Sequence, residues 1–137
     1  MPIRAFGFAS RKAGISPSEF KKCYEAHVDL LKRLAGPVFP LSHKRHYLTR
    51  DSVEAPPDGA SALNPTTPAT VLLGKQSDFD MDAYVELVFA DQAALEAFVA
   101  VVFEPGNAAL IEKDEEGFLD RKRFGVAMVG ETCETTV

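Results

Sequence analysis

The chain has 137 residues with a formal net charge of −5, and hydrophobic residues make up 46% of it. That length suits one domain able to bury a core of its own. The 15 Lys and Arg residues are dispersed among 20 Asp and Glu, which argues against a nucleic-acid partner, because phosphate neutralisation needs clustered cations.

Ile3 to Ser10 has mainly apolar residues on both alternating sets. Arg4, Phe6, Phe8 and Ser10 point one way; Ile3, Ala5, Gly7 and Ala9 point the other. This predicts a central strand covered on both faces. The start runs straight into that strand pattern without a charged leader and apolar segment, and no apolar run reaches the ~20 residues needed to span a bilayer. The two cysteines, Cys23 and Cys133, lie outside any Cys-x-x-Cys pair. A cytoplasmic protein with reduced thiols is therefore expected.

A helix is predicted from Ser16 to Gly36. Ser16 is placed as N-cap, Pro17 at the first helical position and Glu19 where a capping box needs it. Gly36 and Pro37 stop the helix. Phe20, Tyr24, His27, Leu31 and Leu34 recur at steps of four and three and form one stripe. A histidine and a tyrosine in an otherwise apolar stripe are unusual. His27 is either a hydrogen-bonded core residue or a catalytic one. The convergence of two polar tips, with Phe6 and Phe8 as aromatic walls, favours a site. Phe20 and Leu31 on the same stripe are further candidate substrate contacts.

Leu41 to Arg50 alternates as a second strand, with His43, Arg45 and Tyr47 on one side and Lys44, His46 and Leu48 on the other. Only one of His43 and His46 can lie under the helix. His46 is favoured as an additional catalytic candidate, and Tyr47 is a candidate substrate contact. Residues 51–82 lose all period and carry Pro56, Pro57, Pro65 and Pro68. A loop this long suggests a lid or a dimer arm. The run Ala69 to Leu73 within it suits a brief strand.

Ala83 to Ala90 reads as a third strand. Asp91 caps a second helix with the stripe Leu95, Phe98, Val99 and Val102, ended by Pro105 and Gly106. Asn107 to Glu116 reads as a third, short helix, and Phe118 to Gly130 carries the last strand. Asp120 at its start is placed to orient a histidine, following the logic of a base held by a third group. The order βαββαβ predicts an α+β, ferredoxin-like sandwich over residues 1–137 with helices on one face of a four-stranded sheet. The uncovered face then predicts a C2 homodimer.

The combination Arg11-Lys12-x-Gly14-x-Ser16-x-x-x-Phe20 followed by Tyr24-x-x-His27-x-x-Leu30 resembles the EthD-domain family of the dimeric α/β-barrel superfamily. Two stretches, Ala62-Leu63-Asn64-Pro65-x-Thr67-Pro68-Ala69-Thr70 and Phe118-Leu119-Asp120-Arg121, are similar to a fungal branch found among polyketide tailoring proteins. Where members often have Pro two residues after the helix histidine, this chain has Asp29. The resemblance implies a dimer acting on aromatic or polyketide intermediates without a bound cofactor, as a dehydratase, decarboxylase or cyclase. The alternatives are a ligand-holding partner of an oxygenase and a cofactor-independent monooxygenase. In the enzyme reading His27 is the acid/base, with Tyr24 stabilising an enolate oxygen. No His, Asp and Glu spacing suggests a metal, and no glycine-rich phosphate loop is present.

Overall fold

The computed structural model describes residues 1–137. Its strands are β1 (Ile3–Arg11), β2 (Ser42–Tyr47), β3 (Ala83–Phe89) and β4 (Leu119–Met128), and its helices α1 (Pro17–Ala35), α2 (Gln92–Val102) and α3 (Pro105–Glu115). All neighbouring strands pair antiparallel in the order β2-β3-β1-β4. This is the ferredoxin-like α+β arrangement that the element order predicts.

Helix α1 begins as expected, with the Ser16 hydroxyl accepting from the Glu19 N–H at 3.1 Å. It ends at Gly36, whose φ of +56° favours a residue without a side chain. Pro105 does not terminate the second helix but opens the third. Glu104 accepts from the N–H groups of Gly106 and Asn107, so a capped N-terminus with Pro at its first position fits this residue better than a stop. Ala69 to Leu73 forms no strand; only an isolated bridge joins Arg50 and Ala69.

The register fixes the two sheet faces. Ala5, Gly7 and Ala9 of β1 lie opposite Leu87, Val85 and Ala83 of β3 and beside Met128, Val126 and Phe124 of β4, all facing the helices. Phe6 and Phe8 face the other way and stay 44% and 39% exposed. The expectation that β1 is covered on both faces is therefore met on one side only within the chain.

The core lies between α1 and the sheet, where Phe20, Tyr24 and Val28 pack against Ala9, Ala83, Val85, Phe118 and Leu119. The long loop is fastened to the adjoining end of the sheet. Asp82 receives the guanidinium groups of both Arg11 and Arg50, at 2.7 and 2.8 Å. Arg50 is also bonded to the carbonyls of Thr67, Phe79 and Met81. Asn64 and Thr67 accept from Arg11, and Asp80 accepts from Asn64 and Ser61. The Asn-Pro stretch thus serves as a clasp of satisfied buried polar groups. None of its residues lines the cavity described below.

Candidate active site between the helices and the sheet

Helix α2 is strongly apolar, yet none of its residues is fully buried. The reason is a cavity of about 580 Å³ between the helices and the sheet. Leu95, Phe98, Val99 and Val102 line it from above; Ala5, Gly7, Val85 and Leu87 form its floor. The size and apolar lining match pockets for small organic ligands.

Helix α1 brings Tyr24, His27 and Leu31 to this space, because positions three and four apart share a face. The His27 residue is only 3% exposed. Its Nδ1–H donates to Asp114 Oδ2 at 2.6 Å, and its Nε2 lies 3.7 Å from Glu115 Oε2, beyond hydrogen-bond length. A carboxylate can only accept, so Asp114 sets the tautomer and leaves the Nε2 lone pair without a proton. Glu115 lines the cavity, and burial pushes its carboxyl above the usual range against the opposing charges of His27 and Arg121. Burial likewise raises the Tyr24 hydroxyl, so it stays protonated and remains a donor. Phe118 packs against both rings, with centroids 5.7 Å from Tyr24 and 5.2 Å from His27.

Several expected site residues lie elsewhere. Phe6 and Phe8 are on the open sheet face, because the pleat turns even-numbered β1 residues away from the helices. His46 is on that same face, bonded to Glu86 at 2.6 Å, and it is His43 that reaches the cavity. Phe20 is a core residue, 1% exposed, in edge contact with Tyr24 and Tyr47. Tyr47 faces the helix but donates to Glu25 outside the cavity lining. Asp120 accepts from the Lys122 N–H and lies 3.7 Å from Arg123, away from any histidine.

The carboxylates beside His27 come from the last turn of α3. The acidic run Asp114, Glu115 and Glu116 was visible, but sequence alone could not dock that turn against α1. No group of three or more His, Cys, Asp and Glu side chains converges in metal-ligand geometry. No single helix is long and apolar enough to cross a membrane.

The fold is shared with an EthD-family protein of Bacillus halodurans, at 14% identity and a TM-score of 0.53 over 96% of this chain and all of that one. It is shared equally with an Arabidopsis thaliana protein, at 15% identity and a TM-score of 0.53 over 98% of this chain and 99% of that one. SnoaB, a cofactor-independent oxygenase of Streptomyces nogalater, aligns at 14% identity and a TM-score of 0.46 over 99% of this chain and 96% of its own. No curated protein matches the sequence. Residues 12–122 match the family model of the EthD domain. The chain therefore belongs to the EthD-domain family.

Proposed function

We propose that the protein is a cofactor-free acid/base enzyme acting on a carbonyl-rich aromatic or polyketide intermediate, by dehydration, decarboxylation or cyclisation. The observation that carries this reading is one imidazole held by a carboxylate at 2.6 Å while its other nitrogen faces an apolar cavity of about 580 Å³. A base so placed can take the acidic proton between two carbonyl groups, and Asp114 offsets the positive charge formed on the ring. The Tyr24 ring lies 6.3 Å from that of His27, centroid to centroid, and its hydroxyl holds the enolate oxygen in this reading. Loss of a β-hydroxyl as water and aldol closure proceed from that enolate, whereas loss of carbon dioxide from a β-keto acid forms it directly, the same groups then holding the enolate oxygen.

The working form is a homodimer joined through the open sheet faces. Support comes from Phe6, Phe8 and Tyr84 on a face that no helix covers. Phe8→Asp shifts sedimentation equilibrium to the monomer in this reading; an unchanged mass contradicts it.

The test of the enzyme reading is product analysis with aryl polyketone substrates. His27→Ala keeps its circular dichroism but loses about 10²–10⁴-fold in kcat. Full turnover by this variant rules the reading out. A wild-type protein that binds such compounds and returns them unchanged is instead a holding partner.

A further inference from the structure

His43 and Arg45 project from the same side of β2, toward the helices. Arg45 Nη1 lies 2.9 Å from His43 Nδ1 and also donates to the His43 carbonyl at 2.8 Å. The remaining Arg45 donors are not free to turn away. Glu25 on α1 holds Nε at 2.6 Å and Nη2 at 3.0 Å, and it is itself fixed by the Tyr47 hydroxyl.

A guanidinium can donate but never accept. His43 Nδ1 must therefore accept, and the ring is a neutral imidazole with its proton on Nε2. Burial, and then the Arg45 charge, push its pKa down to about 4; His27 acts in the same direction, while Glu25 and a backbone hydrogen bond oppose it. His43 lines the same cavity as His27, with Tyr24 between them. The Tyr24 ring centroid is 6.3 Å from each imidazole and meets His43 edge-on.

We propose that His43 is the electrophile of this site, its Nε2–H donating to a carbonyl oxygen of a 1,3-dicarbonyl substrate. This rests on the reading of His27 as the base. The C–H bond between the carbonyls breaks, and its proton goes to His27 Nε2. The electron pair forms the C=C bond, and the C=O pair moves to oxygen. The enolate oxygen then accepts from His43 Nε2–H and the Tyr24 hydroxyl. A neutral imidazole suits this task because it polarises a carbonyl without surrendering its proton, and the Arg45 bond to Nδ1 keeps Nε2 the donor.

The probe is 2-naphthol, whose anion mimics an aromatic enolate and whose absorbance reports its ionisation. Naphthalene serves as the uncharged control. His43→Phe weakens naphtholate binding about 10–100-fold, as loss of a hydrogen bond to a charged group does, and leaves naphthalene binding intact. His43→Gln, which offers an amide N–H near the lost Nε2, recovers most of that loss. His27→Ala lowers turnover by the factor given above but keeps the preference for the anion, so failure of the base assignment is read separately from failure of this one.

In the wild-type protein, nitrogen-15 spectra show His43 as the neutral Nε2–H tautomer at pH 7, and its Nε2 signal moves when naphtholate binds. Equal weakening of naphtholate and naphthalene in His43→Phe overturns the proposal. So does an Nδ1–H or doubly protonated His43 at pH 7, or an Nε2 signal that ignores naphtholate.

Discussion

The two halves of the helix–sheet interface rest on one continuous sheet face and are built in opposite ways. Beneath the first half of α1 the space is filled. Phe20 is 1% exposed among Tyr24, Tyr47 and Phe118, and the adjoining sheet end is locked by Arg11 and Arg50 on Asp82. Beneath α2 the facing side chains are as apolar, but the helix stands off and leaves about 580 Å³. Apolar residues alone therefore do not close a core; the packed half also has interlocking aromatic rings and a satisfied ionic clasp that sets the spacing of its elements. Polar groups facing the cavity come from α1, β2 and the end of α3.

The contrast breaks most visibly in the packed half. Asp82→Ala leaves two largely buried guanidinium groups without their shared carboxylate and costs about 3–5 kcal/mol by denaturant unfolding. Phe20→Ala costs a comparable amount, about 3–5 kcal/mol, by opening a void where none exists. The hollow half responds in rate rather than stability. Asp114→Asn replaces an acceptor-only carboxylate with an amide that can donate to Nδ1 and reverse the His27 tautomer, and it lowers kcat by about 10²-fold with KM little changed. Leu95→Ala costs below about 1 kcal/mol, because one side of that leucine already faces empty space.

Stability also depends on pH. The pKa of His43 is depressed from the ordinary 6.5 to about 4. Between those values the unfolded chain binds a proton that the folded chain refuses, so stability falls as pH falls through this window. Glu115 has the opposite sign: its raised pKa adds stability as pH falls. The difference between wild type and His43→Gln isolates the histidine share, and the wild-type curve is the steeper one between pH 6.5 and 4.

Much of the fold was legible because it is written locally. The Ser16 cap, the Gly36 stop and the βαββαβ order each follow from neighbouring residues and period. The α1 stripe likewise carried Tyr24, His27 and Leu31 to one face. What was not legible depended on docking and sheet parity. Lys44–His46 and His43–Tyr47 are equivalent alternations until the pairing of His43 with Leu87 assigns a face. The same parity moved Phe6 and Phe8 to the open side. Asp114 and Glu115 lie 87 and 88 positions from His27 in sequence, and only the packing of α3 against α1 joins them to it. Asp120 opens a strand, a place that suits a carboxylate orienting a histidine, but its charge serves Arg123 and the local turn.

The most direct measurement is a crystal structure with a bound aryl 1,3-diketone. Its ring should occupy the space beneath Leu95 and Phe98, with a carbonyl or the intervening carbon within hydrogen-bond reach of His27 Nε2. A ligand seated on the Phe6 and Phe8 face, or α2 collapsed onto Val85 and Leu87 with no room for a guest, would contradict the account.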